Sequence, residues 1–515
     1  MKPLTRTEYS LKNAITTTIL RVVAILMGYA VRVVFTHTLS QSYVGINGLF
    51  TDLLNVLALS ELGIESAITY ALYRPIAEND VEEQKSLMRI YCWYYRAVAV
   101  TVTLMGLLVI PFMPILIKNQ PEVEHLTLIY ILYLANSALS YLVIYKKSLI
   151  DAHQLLYLGL TYQTCFWVIQ DILQIITLIT TKNFILFLLV YIICTLLGNI
   201  VISRKASRLY PYIKEKNIKP LEGLKRKEIA KNIRALFLHK IGNVLVSNTD
   251  NILLSSFVGI ISTGVYSNYY LIIQSINQIL HQMFNGITAS IGSLGVSRNV
   301  ARVTMVYRTT YFIAHWVYGL GAICLYELLN PFVMISFGES YVFSKDIVLV
   351  LCINFFITGL KDVTLVFRNS LGLFRHDRYI SIVCAAFNLV FSIIMVKQFG
   401  TIGVFMGTMI SMFLTSAWLE PYIIYKHYLK RSFYQFLLKY LWYHLSMGII
   451  WLVVDYLCQF MKGSFVNVIL ARLMICLIVP NLILVILYFG SAEIRIIREK
   501  IKISWKSVKK DRVRV

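Results

Sequence analysis

Two basic side chains stand in the middle of apolar segments at matching places in the chain. Arg21 comes 24 residues before Gly45, and Lys240 comes 24 residues before Gly264, so the two patterns repeat over 219 positions. We expect each glycine to lie in a turn that follows the charged segment. A charge inside the hydrocarbon core of a membrane is costly and usually marks a functional site. Arg21 and Lys240 are therefore candidate ligands for an anion.

A second arginine shares a helix face with Arg21. Arg32 follows it by eleven residues, and eleven steps of about 100° end about 20° beyond three full turns. Gly28 shares this face and leaves room for a ligand or another helix to approach. We expect both arginines to line a cavity. For Arg32, extension towards the membrane surface is the alternative.

Polar residues collect around Lys240 and in the segment that follows. His239 and Asp250 are eleven residues apart and share a face, with Lys240 and Asn251 beside them. The next segment carries a polar stripe with spacings of four, three and four: Gln274, Gln278, His281 and Asn285. Amides that faced lipid would lack hydrogen bonds, so the stripes must face either a cavity or a partner helix. Both interpretations stay open.

Further charged residues extend the candidate site. Lys361 shares a helix face with Asn354 and Thr358, which makes it a third candidate cation for a cavity. Asp52, in the second apolar segment, and Asp250 are candidates for binding a coupling proton or sodium ion. A structural ion pair is the alternative role for these acids.

The composition places these residues in a membrane protein. Hydrophobic residues make up 58% of the 515, and the mean hydropathy is +0.68, above the values of soluble domains. Apolar runs of about 20 residues recur from end to end, and each can cross a bilayer. They predict an all-α polytopic membrane protein of about fourteen transmembrane helices. The net charge of +23 lies mainly in short connections and tails, and no basic–aromatic patch indicates nucleic-acid binding.

The predicted spans form two halves and a terminal pair. They lie near 14–36, 45–73, 90–117, 126–146, 155–179 and 183–203, then near 233–257, 263–291, 307–335, 346–369, 378–397 and 401–425, and finally near 436–460 and 465–490. The predicted parts are an N-terminal lobe (1–203), a basic linker (204–231), a C-terminal lobe (232–425), spans thirteen and fourteen (426–490) and a basic tail (491–515). A second match, between 145–149 and 367–371, supports two related halves.

The basic residues also predict an orientation. Most of the 49 lysines and arginines lie in every other connection and in the two tails, and cytoplasmic loops carry such an excess. We therefore expect both termini in the cytoplasm. The linker at 204–231 is expected to be a solvated connection or an amphipathic segment on anionic lipid.

No motif for catalysis is visible in the chain. A glycine-rich loop followed by Lys-Ser or Lys-Thr is missing, so ATP is not expected as a direct energy source. The histidines and cysteines lack the spacing of metal ligands. We expect a protein that is not an enzyme and holds no cofactor, with a sodium or proton gradient as the candidate source of coupling energy.

Two stretches carry a resemblance to a known family. The stretch Val44–Phe50, running on to Glu61–Ile64, and the stretch from Asp250–Ile252 to Gly264–Tyr266 look like equivalent regions of two related halves. With the two six-span halves and the terminal pair, the chain resembles the polysaccharide-exporter branch of the multidrug/oligosaccharidyl-lipid/polysaccharide (MOP) superfamily. This branch contains the Wzx-type lipid-linked oligosaccharide flippases.

The resemblance implies a MATE-like bundle of two six-helix lobes around a central cavity. It implies transport of an undecaprenyl-diphosphate-linked oligosaccharide from the inner to the outer leaflet of the bacterial cytoplasmic membrane. Polysaccharide biosynthesis, for a capsule or exopolysaccharide, and contact with polysaccharide polymerase machinery and membrane lipids are implied as well. The chain also resembles lipid II flippases with a cationic cavity, and Arg21 best matches their first-span arginines.

Two other functions were weighed against this one. An ion-coupled multidrug antiporter of the same superfamily should bind cations. The acids Asp52, Glu61, Asp171 and Asp250 favour this function, and the cations Arg21, Lys240 and Lys361 oppose it. A membrane enzyme, such as a polysaccharide polymerase, should carry a large catalytic loop outside the membrane, and no connection is long enough for one.

Overall fold

The computed structural model describes most of the chain and contains helices throughout the part described. It covers residues 6–61, 64–118, 123–153, 155–215, 218, 220–221, 223–288, 291–292, 294, 299–373 and 379–499. Within this part no strand occurs. Eleven of its helices are long and apolar enough to cross a membrane.

Eighteen α-helices of the described residues carry the labels used below. They are α1 (Arg6–Thr38), α2 (Gln41–Leu57), α3 (Ile64–Ala77), α4 (Val81–Val109), α5 (Met113–Leu116), α6 (Leu126–Ile144), α7 (Lys147–Ala152), α8 (Leu156–Thr181), α9 (Phe184–Leu209), α10 (Gly223–Leu253), α11 (Ile260–Asn285), α12 (Val300–Phe337), α13 (Lys345–Ser370), α14 (Ile380–Phe399), α15 (Thr401–Leu414), α16 (Ser416–Ile423), α17 (Tyr434–Gln459) and α18 (Phe465–Tyr488).

The predicted all-α membrane fold is confirmed, whereas the count of fourteen spans is not. The three predicted spans missing from the eleven are 45–73, 233–257 and 263–291. These are the segments richest in the polar residues singled out from the sequence, and α2 has only 17 residues. Length and hydropathy therefore identify the most apolar helices, and they pass over helices that carry many of the predicted polar residues.

The predicted span 45–73 is interrupted. Helix α2 ends at Leu57, a short 3₁₀ turn covers Ala58–Glu61, and α3 begins at Ile64. Apolar residues continue on both sides of this turn, so the hydropathy pattern does not reveal it. A tertiary contact stabilises the turn, because the hydroxyl of Tyr95 donates a hydrogen bond of 2.6 Å to Glu61 Oε1.

The first compact unit of the chain extends to Asn268. Helix α1 packs on α8, and α9 packs on both α8 and α6. Helix α2 lies against α10, which follows the predicted linker, and the buried face of α2 includes Val44, Leu49 and Phe50. Helix α2 also packs on α6, so its polar residues lie between α6 and α10.

The two repeat glycines pack against each other instead of forming turns. Gly45 lies within α2 and Gly264 within α11. A Cβ at Gly264 would lie 2.9 Å from the Gly45 nitrogen, and a Cβ at Gly45 would lie 2.0 Å from the Ile260 carbonyl oxygen. The expected glycine turns are therefore wrong. Glycine is needed at both places because the two backbones approach too closely for any side chain.

The second compact unit begins at Tyr269 and contains a helix hairpin built on small residues. Gly400, with a φ of +62°, joins α14 to α15. A Cβ at Gly407 would lie 2.3 Å from the Ser392 nitrogen, and Ser392 Oγ donates to the Val404 carbonyl at 3.0 Å. Small residues spaced four apart allow this close contact between helices in a membrane.

The terminal pair α17 and α18 packs within the second unit. Trp316 Nε1 on α12 donates to Asn481 Oδ1 on α18 at 2.7 Å. On the same helices, Arg472 lies 3.7 Å from the buried Glu327 carboxylate. Polar contacts inside the membrane thus anchor the pair to α12.

The two units divide within α11. The sequence predicts a boundary between two lobes earlier in the chain, at the basic linker 204–231. These lobes stay a prediction. Helix α9 continues to Leu209 and α10 begins at Gly223, so both helices extend into the predicted linker. Basic residues at these helix ends account for the polar composition that suggested a longer connection.

Candidate functional site

A cavity of about 380 Å³ lies inside the first unit, among α2, α6, α8 and α9. Its lining consists of Asn47, Thr51, Leu54, Asn55, Ala58, Tyr133, Asn136, Ser137, Ser140, Tyr141, Gln170, Gln174, Phe187 and Tyr191. The volume falls within the range of about 300–1,000 Å³ typical of small-molecule sites. None of these lining residues in the described part of the chain carries a charge.

Helical spacing explains why so many polar side chains meet here. On α6 the lining residues run from Tyr133 to Tyr141 with spacings of three, one, three and one, so they occupy one face. At 1.5 Å per residue this face is about 12 Å long. On α8, Gln170 and Gln174 are one turn apart and face it. The cavity is therefore an elongated, amide-rich chamber between helices.

Some polar atoms of this lining form hydrogen bonds within the protein, and others have no hydrogen-bond partner among the described residues. Gln170 Nε2 donates to Gln174 Oε1 at 3.4 Å, and Gln174 Nε2 donates to the Phe187 carbonyl at 3.3 Å. Within the described residues, Gln170 Oε1 and Asn136 Oδ1 are buried without a hydrogen-bond donor. Two acceptors at the cavity wall are thus available to a ligand.

Aromatic rings close one side of the chamber. Phe184 packs edge-on against Phe35 at 5.5 Å between ring centroids and against Tyr43 at 5.2 Å. Phe187, which lines the cavity, lies 5.3 Å from Phe35. The Tyr133 hydroxyl donates to Asn47 Oδ1, so this ring is held at the junction of the aromatic and amide parts.

One of the predicted cations interacts electrostatically with a residue of the chamber lining. Arg32 is half-buried and interacts electrostatically with Tyr133. Arg21, eleven residues earlier on α1, is exposed, and neither arginine belongs to the lining itself. A Cβ at Gly28 would meet no described atom within 4 Å, so the expected close approach at Gly28 is not seen.

The predicted acids lie where α2 meets α10. Asn251 Nδ2 donates to Asp52 Oδ2 at 2.6 Å, and both side chains are buried. The Tyr266 hydroxyl donates to Asp250 Oδ2 at 3.3 Å. Asp52 and Asn251 are each predicted as site residues, and the structure joins them in one contact between α2 and α10.

Lys240 and His239 lie on α10, but their side chains fall outside the described residues. Whether Lys240 reaches an anion stays a prediction. The same holds for the face that His239 was expected to share with Asp250.

The remaining predicted residues lie in the second unit. Gln274 is half-buried and Gln278 is exposed on α11, while His281 bonds Asn285 along the same helix at 2.9 Å. His281 also interacts electrostatically with Asp362 on α13. Part of the polar stripe is therefore satisfied by a hydrogen bond within its own helix.

Lys361 has an acidic neighbour within its own unit. It is half-buried on α13 and interacts electrostatically with Glu420 of α16, which is fully buried. The polar residues that share its face turn towards α15, since Asn354 Nδ2 donates to the Phe405 carbonyl at 3.0 Å. Glu420 thus competes with any external anion for Lys361.

Sequence reasoning missed the amides and tyrosines of the chamber. Gln170 and Gln174 lie four residues apart in a helix of high hydropathy, and Asn136 lies in another. Uncharged polar residues inside apolar spans carry a signal, because each needs a partner in lipid. Charged residues give a stronger signal, since their cost in a membrane is higher.

No family model and no curated protein matches this chain. Solved structures resemble it over most of its length. A multidrug resistance MATE family transporter of the MOP superfamily, in an inward-facing conformation, is 17% identical, with a TM-score of 0.63, over 85% of this chain and 98% of that chain. The lipid II flippase MurJ, in an inward closed conformation, is 15% identical, with a TM-score of 0.64, over 92% and 98%.

A third structure shares this likeness. It is a MOP superfamily transporter from Pyrococcus furiosus, described by the reverse polarity of its binding pocket, and is 16% identical with a TM-score of 0.54 over 82% of this chain and 97% of that chain. The chain has the fold of MOP superfamily transporters. With its apolar helices, it is a multi-pass membrane protein. At these identities the likeness concerns the fold, and the Wzx-type branch is not distinguished by it.

Proposed function

We propose that the protein is a flippase for undecaprenyl-diphosphate-linked oligosaccharide repeat units. It moves them from the inner to the outer leaflet of the bacterial cytoplasmic membrane for polysaccharide biosynthesis, with both termini in the cytoplasm. The observation that carries this proposal is an uncharged, amide-lined chamber inside a MOP fold, with Arg32 interacting electrostatically with Tyr133 of the lining.

The charge pattern supports an anionic lipid as the substrate. A diphosphate cannot enter hydrocarbon unaided, and arginine replaces its hydration with charge-assisted hydrogen bonds. Arg21, Lys240 and Lys361 are the other proposed cations of a central, cationic cavity used in alternating access. The polyprenyl tail stays in lipid while the polar part passes through the protein.

The buried acids suggest a source of energy. Asp52 and Asn251 form a carboxylate–amide pair deep in the first unit, with Asp250 nearby in sequence. Carboxylate and amide oxygens suit a proton or a sodium ion, and a charge at this depth is otherwise costly. We propose that ion binding at this pair couples transport to a proton or sodium gradient.

The test is transfer of a fluorescent undecaprenyl-diphosphate-linked oligosaccharide between the leaflets of proteoliposomes. Arg32→Ala and Arg21→Ala should slow transfer at least about tenfold, because each removes a charge-assisted contact of about 1.5–3 kcal/mol. Lys397→Ala is the matched control, since this exposed lysine lies at the end of α14. Wild-type rates in both arginine variants would reject the cationic site.

An ion-coupled multidrug antiporter is the second candidate, and the buried Asp52 favours it. A carboxylate binds cationic drugs as well as coupling ions. Uptake of cationic dyes that depends on Asp52 and not on Arg32, without transfer of the lipid, would favour the antiporter.

A further inference from the structure

We propose that the uncharged chamber among α2, α6, α8 and α9 is a saccharide subsite, which holds sugar residues next to the diphosphate. The inference rests on the proposed function and adds the place where the neutral part of the substrate binds. It concerns the first unit alone.

The lining matches the chemistry of a sugar. Its described residues include five amide side chains and three serine or threonine hydroxyls, and none of them is charged. Sugar hydroxyls both donate and accept hydrogen bonds, as do amides and hydroxyls. A cationic drug or a bare diphosphate placed here would lose its hydration without gaining an opposite charge from the lining.

Two wall atoms need a donor of the kind that a sugar provides. Asn136 and Gln170 are 8% and 7% exposed, and the acceptors Asn136 Oδ1 and Gln170 Oε1 have no donor among the described residues. They lie on α6 and α8, two of the walls. Buried polar atoms in proteins are rarely left without a partner. Hydroxyl groups of a ligand between these helices would donate the missing hydrogen bond to each of the two oxygens.

The aromatic residues and the position of Arg32 fit the covalent order of the substrate. Tyr133, Tyr141 and Tyr191 present rings to the chamber, and aromatic faces can pack against the apolar face of a sugar ring. Arg32 interacts electrostatically with Tyr133. Because the diphosphate is bonded to the first sugar, an anion held at Arg32 would direct the sugars along the face of α6, which is about 12 Å long.

The experiment compares lipids that differ only in their sugar. Binding of undecaprenyl diphosphate, and of the same lipid carrying glucose, galactose or N-acetylglucosamine, is measured with the full-length protein in nanodiscs. The wild type should prefer at least one sugar-bearing lipid by about tenfold, as expected from one or two added hydrogen bonds.

The cavity variants Asn136→Leu and Gln170→Met should reduce this preference to about twofold or less while leaving the affinity for undecaprenyl diphosphate unchanged. Asn199→Leu is the matched control, because Asn199 is a buried amide on α9 that does not line the chamber. It should keep the full preference. Thermal unfolding of each variant identifies any that fails to fold, and two cavity variants on different helices keep the test decisive.

The outcomes separate the subsite from the proposed function. If the lipids bind but the wild type shows no preference for any sugar, or if both cavity variants keep it, the subsite is rejected and the flippase proposal stands. If no lipid binds and cationic dyes bind instead, both are rejected. Loss of preference in the control as well as the cavity variants would also overturn the subsite.

Discussion

Replacing Gly45 by alanine should force apart the helices that join the two halves of the sequence. The new methyl carbon would lie 2.0 Å from the Ile260 carbonyl oxygen, and Cβ atoms essentially never lie within 3.0 Å of a non-bonded atom from another part of the chain. The α2 and α11 backbones would therefore have to separate by about 1 Å or more. Since the obstacle is backbone and cannot rotate away, we expect a loss of about 3 kcal/mol, the upper end for overpacking.

Two control variants should change the free energy of unfolding in the opposite direction. At Gly28 in α1 and Gly448 in α17, an added methyl group would meet no described atom within 4 Å. Alanine at such helix positions stabilises by about 0.4–1 kcal/mol, because it restricts the unfolded chain. Gly28→Ala and Gly448→Ala should thus be neutral or stabilising, and Gly45→Ala should be destabilising.

The assay is the free energy of unfolding in detergent, measured by denaturant titration, together with lipid transfer in proteoliposomes. Gly264→Ala should also destabilise, since its methyl carbon would lie 2.7 Å from the Gln41 carbonyl oxygen. The double variant should lose less than the sum of the single losses, because one separation relieves both contacts. If Gly45→Ala is as stable as wild type, the close contact between the repeats is refuted.

Three further changes test other contacts. Asn251→Leu should cost about 1–3 kcal/mol of unfolding free energy, because Asp52 loses its donor at 2.6 Å; an unchanged free energy would contradict this. Arg472→Met should cost up to about 3 kcal/mol, because Glu327 is buried and loses its partner at 3.7 Å; adding Glu327→Gln should recover much of this loss in the same denaturant titration. Burial lowers the pKa of His153, in the connection after α7, below its ordinary 6.5. The unfolded chain then binds the proton more readily, so stability is lost as the pH falls through 6.5. Between about pH 7.5 and 5.5 the melting temperature should therefore drop more for wild type than for His153→Gln, and equal drops would refute the assignment.

Much of the fold was predictable from hydropathy. Predicted spans near 183–203 and 465–490 correspond to α9 and α18, whose bounds differ by only a few residues. The hydrocarbon thickness sets a minimum length, and no lipid-facing polar group is tolerated. The break after Leu57 was not predictable, because a hydrogen bond from a distant tyrosine stabilises it. The exact number of spans was not predictable, because polar residues leave it ambiguous whether some helices cross the membrane.

For the candidate site, too, the sequence predicted individual residues, and the tertiary structure decided which of them are in contact. Asp52 and Asn251 were recognised as costly residues inside a membrane, but their 2.6 Å contact depends on how α2 meets α10. The repeat of Gly45 and Gly264 was visible, and its meaning was misread as two turns. A glycine in a sequence indicates either a close approach of another part of the chain or a positive φ, and only the tertiary structure shows which of the two applies.

By itself, the sequence determined that this is a polytopic helical membrane protein with charged residues in its apolar segments, and it predicted two related halves. Each of those features is local, because the free energy of moving a residue into lipid depends on its own chemistry. Only the tertiary structure decided which polar residues share a chamber. Asn136 and Gln170 lie 34 positions apart on different helices, and α6 and α8 meet there because both pack on α9 and its neighbours. The chamber exists through that packing, which periodicity along a single helix does not encode.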